Sequence, residues 1–335
     1  MDGVAPPPDR NDRPLLIKAF ETVNVGSGAY TFTDLQSTRL SDVWSRQFRL
    51  FTPVRRERMR LPTSLPEFAA LRHVANLSDS PLTAAASLGG HWSDHNLAAI
   101  THVAACNFRC SYCYVDRAHL AGRDGFVGTA ADVVDEFVRL RRWARERGRR
   151  LSILRLSGGE PLVAPSLVLE VYRELRGRGL LESTLLKVES NVSALRYAWR
   201  RTQVRLSAQE REWLRHIKVH STLHFPPGTA FWPAIREGLE FAIDLGFDVY
   251  PAVGANDWTA DQLEMLFDEL SDIRPALPRR LAVRPFHLDY PALANRRRLP
   301  SPVESQAPSV IWEGILRRRL GIRYLELPRH VVSLD

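Results

Sequence analysis

Short β-rich runs recur along this chain at an almost constant interval. The runs are LSILRLS from residue 151, TLLKVES from 184, IKVHSTL from 217, DVYPAVG from 248 and LAVRPFHL from 281, so their starts lie 33, 33, 31 and 33 residues apart. That interval accommodates one strand and one crossover helix, the connection that parallel strands require. A further run, NLAAITHVAAC, precedes them from residue 96. The pattern predicts an α/β fold with six βα units.

The segments between these runs carry helical spacing and helix boundary signals. Thr129 with Asp132, and Thr259 with Gln262, form capping-box patterns at the start of two of these segments. Segment 194–216 is less regular and predicts two short helices with a break near Ser207. Strands that alternate with helices in this way favour a partial (β/α)6 barrel of TIM type.

We expect three regions along the chain. Residues 96–290 are predicted to form the partial barrel, because they hold the six βα units. Residues 1–95 lack that rhythm and are predicted to form an N-terminal extension without an assigned role, in which AYTFTDL and SDVWSRQFRLFTP pair or pack across one end of the barrel. Residues 291–335 are predicted to form a C-terminal loop, a closing helix in SVIWEGILRRRLG and a last strand in IRYLELPRHVVSL.

Composition and charge narrow the class of protein. Hydrophobic residues make up 44% of the chain and charged residues 25%, which is typical of a soluble globular protein. No apolar run is long enough to span a membrane and the first residues hold no signal-peptide core, so we expect a cytoplasmic protein. The net charge of +8 comes from 46 basic residues of which only three are lysines, a bias that suggests a GC-rich genome. A nucleic-acid partner is therefore not favoured.

All three cysteines of the chain lie within eight positions, directly after the first predicted strand. Cys106, Cys110 and Cys113 form the pattern C-x3-C-x2-C, and such close spacing lets one loop wrap around a metal centre. A zinc ion would need a fourth ligand, which His102 or His119 would have to supply. A [4Fe-4S] cluster held by three cysteines would keep one iron open. The cysteines alone leave both alternatives open.

A second motif, LRLSGGEPLV at residues 154–163, ends the next predicted strand. Gly158 and Gly159 allow a ligand to approach the backbone closely, because no side chain intervenes. The Glu160 carboxylate can accept charge-assisted hydrogen bonds from an ammonium group. Taken alone, the motif is equally compatible with an ordinary βα turn. Its position one strand after the cysteine loop favours a joint site.

Together the two motifs resemble the radical S-adenosylmethionine (radical SAM) superfamily over about residues 96–290. The resemblance includes an aromatic residue, Tyr112, just before the last cysteine. It implies that the three cysteines hold a [4Fe-4S] cluster whose open iron binds S-adenosylmethionine (SAM). It also implies reductive cleavage of SAM to a 5'-deoxyadenosyl radical that abstracts a hydrogen atom from the substrate.

The resemblance further implies roles for residues near the later strand ends. The expected SAM-binding residues include Tyr112 near the adenine and the Gly-Gly-Glu segment at the methionine amino group. The others are Asn191, Ser221, Arg236, Val253 and Gly254, with an exposed helix arginine as the alternative for Arg236. The substrate candidates are His224, His287 and Asp289.

The absence of any other cysteine predicts a single-cluster member without a SPASM or Twitch extension. The reactions that remain are rearrangement, elimination, carbon–carbon bond formation and oxidation. We expect a small-molecule substrate, such as a sugar or nucleoside in natural product biosynthesis, with a ribosomally made peptide as the alternative and an RNA base third. The resemblance implies a flavodoxin or ferredoxin as electron donor. A zinc-stapled protein that binds nucleic acid is the non-enzymatic alternative.

Overall fold

A computed structural model of the chain describes ten stretches of residues. They are 13–33, 48–50, 72–95, 97–110, 113–123, 125–146, 148–254, 258–284, 307–324 and 329–334. Side chains at 48–50, 72–79, 93, 284 and 307 are not described.

Ten strands in the described residues form one sheet. They are β1 (Asn24–Gly26), β2 (Ala29–Thr33), β3 (Phe48–Leu50), β4 (Ala98–Val103), β5 (Gly125–Thr129), β6 (Ile153–Gly158), β7 (Leu185–Ser190), β8 (Ile217–Thr222), β9 (Asp248–Gly254) and β10 (Ala282–Arg284). Their helices are α1 (Arg13–Val23), α2 (Arg72–Leu88), α3 (Arg117–Leu120), α4 (Ala130–Arg145), α5 (Pro165–Gly177), α6 (Leu195–Thr202), α7 (Ala208–Leu214), α8 (Trp232–Leu245), α9 (Ala260–Ile273), α10 (Leu277–Arg280) and α11 (Ala307–Leu320). Within the described ranges, four short 3-10 helices span Trp92–His95, Pro161–Val163, Leu181–Ser183 and Arg329–Val331.

Six of the strands run parallel, in the order β4-β6-β7-β8-β9-β10. Helices follow these strands along the chain, so each connection is the crossover that the 33-residue interval predicts. Over the described residues the sheet does not close on itself. The predicted partial barrel of six βα units is therefore confirmed.

The N-terminal strands extend this sheet beyond β4. Both β2 and β3 pair with β4 in the antiparallel direction, so the described parts of the two N-terminal runs, AYTFT and FRL, pair at the edge of the barrel sheet. In addition, β2 pairs antiparallel with β5, a strand that the sequence pattern did not predict. It lies between the cysteine loop and α4 and contains two glycines, which hide the usual strand signal.

The capping boxes are confirmed where the described residues include them. The Thr129 hydroxyl accepts a hydrogen bond from the Asp132 backbone at 3.2 Å, and the Asp132 carboxylate accepts one from the Thr129 backbone at 2.8 Å. Thr259 caps α9 through the same arrangement. Segment 194–216 forms two helices, and Ser207 caps the second of them. The predicted last strand is wrong for the described residues, because Arg329–Val331 forms a 3-10 helix.

The two faces of the parallel strands differ in polarity. On β6 and β7 the apolar positions belong to the main core together with residues of the surrounding helices: Leu154, Leu156, Leu186 and Val188. The alternate positions face the other side; Ile153 and Leu185 at the start of the strands are apolar, and the positions nearer the carboxyl ends are polar: Arg155, Ser157, Lys187 and Glu189. Helix α2 packs on this second side, where Lys187 Nζ donates to Ser80 Oγ at 2.6 Å. We call this side the inner face of the barrel.

Candidate active site

The cysteine loop begins directly after β4 and is held by the short helix α3. The backbone N–H groups of Ala105 and Cys106 donate to the carbonyl oxygens of His119 and Leu120 at 3.0 and 3.1 Å. The Cys113 N–H closes a turn onto the Cys110 carbonyl oxygen at 3.2 Å. Cys106 and Cys110 are buried and Cys113 is half-buried. All three cysteines therefore lie at the carboxyl end of a parallel strand, where α/β barrels carry their chemistry.

The sulfur of Cys106 lies among hydrogen-bond donors. The Phe108 backbone N–H is 3.3 Å from Cys106 Sγ, and the Asn191 side-chain nitrogen is 3.8 Å from it. Burial, reinforced by the nearby Glu160 carboxylate, raises the pKa of the Cys106 thiol far above its ordinary value. A thiolate at this position needs a nearby positive charge to stabilise it. A bound metal ion would supply that charge.

The donor set fits an iron–sulfur cluster by its chemistry. Three thiols on one loop are soft ligands that select iron–sulfur or zinc centres over hard cations. In the described part of the chain, however, no three His, Cys, Asp or Glu side chains converge tightly enough to hold a single metal ion as placed. The fold brings the three cysteines into one loop at the end of β4. Tyr112 lies outside the described residues.

The Gly-Gly-Glu turn after β6 packs directly on the cysteine loop. The Gly159 and Glu160 N–H groups donate to the Val103 and Ala105 carbonyl oxygens, both at 2.9 Å. A Cβ atom at Gly159 would lie 1.8 Å from the Ala105 carbonyl oxygen, and Gly158 has a φ of +93°. Glycine is thus required here by the approach of the cysteine loop itself. Approach of a ligand to the same glycines stays a prediction.

The Glu160 carboxylate lies fully inside the protein and connects two strand ends. Its Oε1 accepts from the Leu162 N–H at 3.0 Å and from the Ser190 hydroxyl, and its Oε2 accepts from the Asn191 N–H at 2.6 Å. Burial raises the pKa of Glu160 to about 7, although the three hydrogen bonds oppose that shift. Both oxygens thus already bind groups of the chain, and binding of an ammonium group stays a prediction.

The Asn191 side chain joins the end of β7 to the cysteine loop. Its Nδ2 donates to the Asn107 Oδ1 at 3.0 Å as well as approaching Cys106. Its Oδ1 accepts from the Ser193 N–H at 3.0 Å and from the Ser193 hydroxyl at 2.6 Å. The structure therefore places Asn191 beside Cys106, one strand away from the Gly-Gly-Glu turn.

Ser221 and Gly254 lie at the ends of the next two strands. The Ser221 side chain is completely buried, and its hydroxyl has no hydrogen-bond partner in the part of the chain that the structure describes. Buried hydroxyls normally have a partner, so this oxygen is available to a ligand. Gly254 is the last residue of β9 and pairs in register with Arg284, while Val253 is buried in the core.

Arg236 lies on α8, in the layer of helices around the sheet. Its Nε is 2.7 Å from Glu269 Oε2 on α9, and both side chains are about one third exposed, at 38% and 32%. The guanidinium thus makes an ion pair between two helices. Its predicted role at the methionine carboxylate has no support in these contacts and stays a prediction.

Among the substrate candidates, only His224 falls within the described residues, and His287 and Asp289 lie outside them. The His224 ring packs edge-on against Phe108 of the cysteine loop, with ring centroids 6.2 Å apart. Burial lowers the pKa of His224 to about 4, so the imidazole is neutral at physiological pH.

Sequence reasoning missed the polar inner face. Tyr114, the residue after the last cysteine, has its hydroxyl 3.3 Å from the Ser157 hydroxyl, which donates to Glu189 at 2.8 Å. Arg155 and Lys187 form ion pairs with the same glutamate. The available signal was a charged residue at alternate positions of otherwise apolar strands, as in LRLS and LKVES. This network connects the cysteine loop to the interior of the barrel.

No helix in the described ranges is both long and apolar enough to cross a membrane.

The family model of the Radical SAM superfamily matches residues 100–270. The chain is 30% identical over 181 residues to a GTP 3',8-cyclase of Stenotrophomonas maltophilia (strain R551-3). The aligned region covers 50% of this chain and 49% of that protein. The similarity to the GTP 3',8-cyclase of strain K279a is 30% over 158 residues, 45% of this chain and 42% of that protein. The chain thus spans about half the length of the curated relatives it matches.

Proposed function

This chain belongs to the radical SAM superfamily, and on that premise we propose that it is an enzyme that binds a [4Fe-4S] cluster through Cys106, Cys110 and Cys113 and uses SAM as its radical source. The observation that carries the proposal is the direct packing of the cysteine loop on the Gly-Gly-Glu turn, through two backbone hydrogen bonds of 2.9 Å. Two motifs 45 residues apart in the sequence thereby form one surface.

When bound, the cluster supplies the electron that cleaves SAM to methionine and a 5'-deoxyadenosyl radical. The chain's own residues hold and enclose the reactants. Glu160 fixes the ends of β6 and β7 relative to each other through its three hydrogen bonds. The buried Ser221 hydroxyl offers a hydrogen bond to the cofactor. Phe108 packs against Phe225 and Phe231, with ring centroids 5.1 and 5.4 Å apart, and so keeps water from one side of the cysteine loop.

We propose a small polar molecule as the substrate, with a sugar or nucleoside of natural product biosynthesis as the first choice. The support is the inner face below the cysteine loop, where Arg155, Ser157 and Glu189 form a continuous polar network. Such a surface matches a substrate that carries hydroxyl or charged groups better than an apolar one. The two relatives are named for a reaction of GTP, but they share only about half of their length with this chain. The reaction itself is a rearrangement, elimination, carbon–carbon bond formation or oxidation.

We also propose a cytoplasmic setting with a flavodoxin or ferredoxin as the electron donor. Such donors are acidic, and the chain has a net charge of +8. A ribosomally made peptide remains the alternative substrate. A short precursor-peptide gene beside the gene for this protein would favour the peptide, and sugar- or nucleoside-tailoring genes would favour the small molecule.

The test is formation of 5'-deoxyadenosine from SAM by the anaerobically reconstituted, dithionite-reduced protein. We expect a brown protein with about four irons per chain that forms 5'-deoxyadenosine. Cys110→Ala should lose both the colour and the product. Thr101→Ala, which removes a buried hydroxyl from β4 without touching a thiol, should retain both. A fully reconstituted protein that forms no 5'-deoxyadenosine would refute the proposal, and a colourless protein with one zinc would favour the zinc-stapled alternative.

A further inference from the structure

We propose that the side-chain amide of Asn191 donates a hydrogen bond to the Cys106 sulfur and thereby raises the reduction potential of the cluster that this sulfur binds. The inference rests on the proposed function, since it concerns the same cluster. It makes Asn191 a positioning residue that acts on the cluster through its ligand. SAM binding was the role that the family resemblance implied for this residue.

The geometry supports a hydrogen bond from nitrogen to sulfur. Asn191 Nδ2 lies 3.8 Å from Cys106 Sγ and 3.0 Å from Asn107 Oδ1, so the two hydrogens of the amide nitrogen have separate acceptors. The orientation of the amide is determined by Ser193, whose N–H and hydroxyl both donate to Asn191 Oδ1. Because two donors face the oxygen, the nitrogen must point towards the sulfur.

The backbone that carries Asn191 is tightly held. The Asn191 N–H donates to Glu160 at 2.6 Å, and the Val192 N–H donates to the Ser190 hydroxyl at 2.8 Å. Val192 has a φ of +56°, and a Cβ atom at Gly238 of α8 would lie only 2.3 Å from its carbonyl oxygen. The amide is therefore fixed by contacts that do not depend on the rotamer of Cys106.

A donor at this sulfur favours the reduced cluster. Reduction adds negative charge that is shared by the cysteine sulfurs, and a hydrogen bond to one of them stabilises that charge. Asn191 is 3% exposed and Cys106 is 9% exposed, so water does not compete effectively for the bond. The Phe108 N–H contributes a second donor at 3.3 Å, but it is part of the backbone and no side-chain substitution removes it. Asn191 is thus the donor that mutation can test.

The experiment is an EPR-monitored redox titration of the reconstituted cluster, without SAM and without turnover. Asn191→Ala removes the donor, and Asn191→Asp replaces it with an acceptor of the same shape. Both should lower the midpoint potential. At the wild-type midpoint we expect the ratio of reduced to oxidised cluster to fall about two- to tenfold, where tenfold corresponds to about 59 mV.

Ser193→Ala is the matched control, because it alters the same hydrogen-bond network but leaves the donor to sulfur in place. It should keep the wild-type potential. Unchanged potentials in Asn191→Ala and Asn191→Asp at equal cluster content would overturn the inference while leaving the proposed function intact. Failure of the wild-type protein to bind a cluster would instead refute the proposed function.

Should neither Asn191 variant bind a cluster, the wild-type protein supplies the decisive measurement. Protein labelled with 15N in the asparagine side-chain amide would be reduced and studied by pulsed EPR. A 15N coupling to the reduced cluster that persists in labelled Asn107→Asp protein supports the hydrogen bond from Asn191, and the absence of any such coupling overturns it.

Discussion

Replacing Glu160 with alanine is expected to destabilise the fold far more than removing an exposed carboxylate. The substitution leaves the Leu162 and Asn191 N–H groups and the Ser190 hydroxyl without their acceptor in a fully buried site. Each buried polar group left unpaired costs about 1–3 kcal/mol. Because the hydroxyl can rotate and the backbone groups cannot, we expect a loss of about 2–5 kcal/mol. That is a large part of a total stability of about 5–15 kcal/mol.

The assay is anaerobic urea unfolding followed by circular dichroism. Glu237→Ala is the control, because its carboxylate forms an exposed ion pair with Arg196 and should contribute less than about 1 kcal/mol. Glu160→Gln should lie between the two, since it keeps one acceptor oxygen but places an amide nitrogen against an N–H or hydroxyl donor. If Glu160→Ala unfolded at the same urea concentration as the control, the three hydrogen bonds would not stabilise the site.

The pH dependence of the same measurement gives a second check. Burial raises the pKa of Glu160 from 4.5 to about 7, so the folded state holds a proton that the unfolded state releases between these values. The free energy of unfolding of the wild-type protein should therefore fall, relative to Glu160→Gln, as the pH rises from about 4.5 through 7. Equal slopes for the two proteins would contradict a buried Glu160 carboxyl group that retains its proton.

Three further substitutions test separate parts of the fold and site. Gly159→Ala should abolish soluble expression, because its Cβ would lie 1.8 Å from a carbonyl oxygen of the cysteine loop, whereas Gly177→Ala, which meets no atom within 4 Å, should unfold at or above the wild-type temperature. Ser221→Ala should not lower the free energy of unfolding of SAM-free protein. It should weaken SAM binding several-fold, as measured by isothermal titration calorimetry. Unchanged affinity for SAM would exclude the hydroxyl from the cofactor site. Glu210→Gln should lower the free energy of unfolding above pH 4.5 and lose that effect as the pH falls towards 2. The reason is that the Ser207 backbone hydrogen bond lowers the pKa of Glu210 to about 2. A difference from wild type that persists at pH 2 in urea titrations would contradict this prediction.

The regular elements of the barrel were predictable because their signals are local. A strand and its crossover helix need a fixed length of chain, so the 33-residue interval identified β6, β7, β8 and β9 without any knowledge of their contacts. Capping boxes are equally local, and Thr129 and Thr259 mark true helix starts. The strand β5 was not predicted, because its two glycines carry no side chain that could show the strand pattern. In addition, its pairing with β2 joins residues about 100 positions apart. The predicted last strand in IRYLELPRHVVSL was wrong over its described residues, where Arg329–Val331 forms a 3-10 helix.

By itself, the sequence determined the succession of the six parallel strands, the single group of three thiols and the position of both motifs at strand ends. These depend on spacing along the chain, which folding does not change. Only the tertiary structure decided what each motif side chain contacts. It placed Gly159 against the Ala105 carbonyl oxygen, surrounded Glu160 with three donors of its own chain, and directed the Asn191 amide to the Cys106 sulfur. Such contacts arise when parallel strands bring their carboxyl ends to one edge of the sheet. The geometry of these contacts depends on packing between residues that are far apart in the sequence.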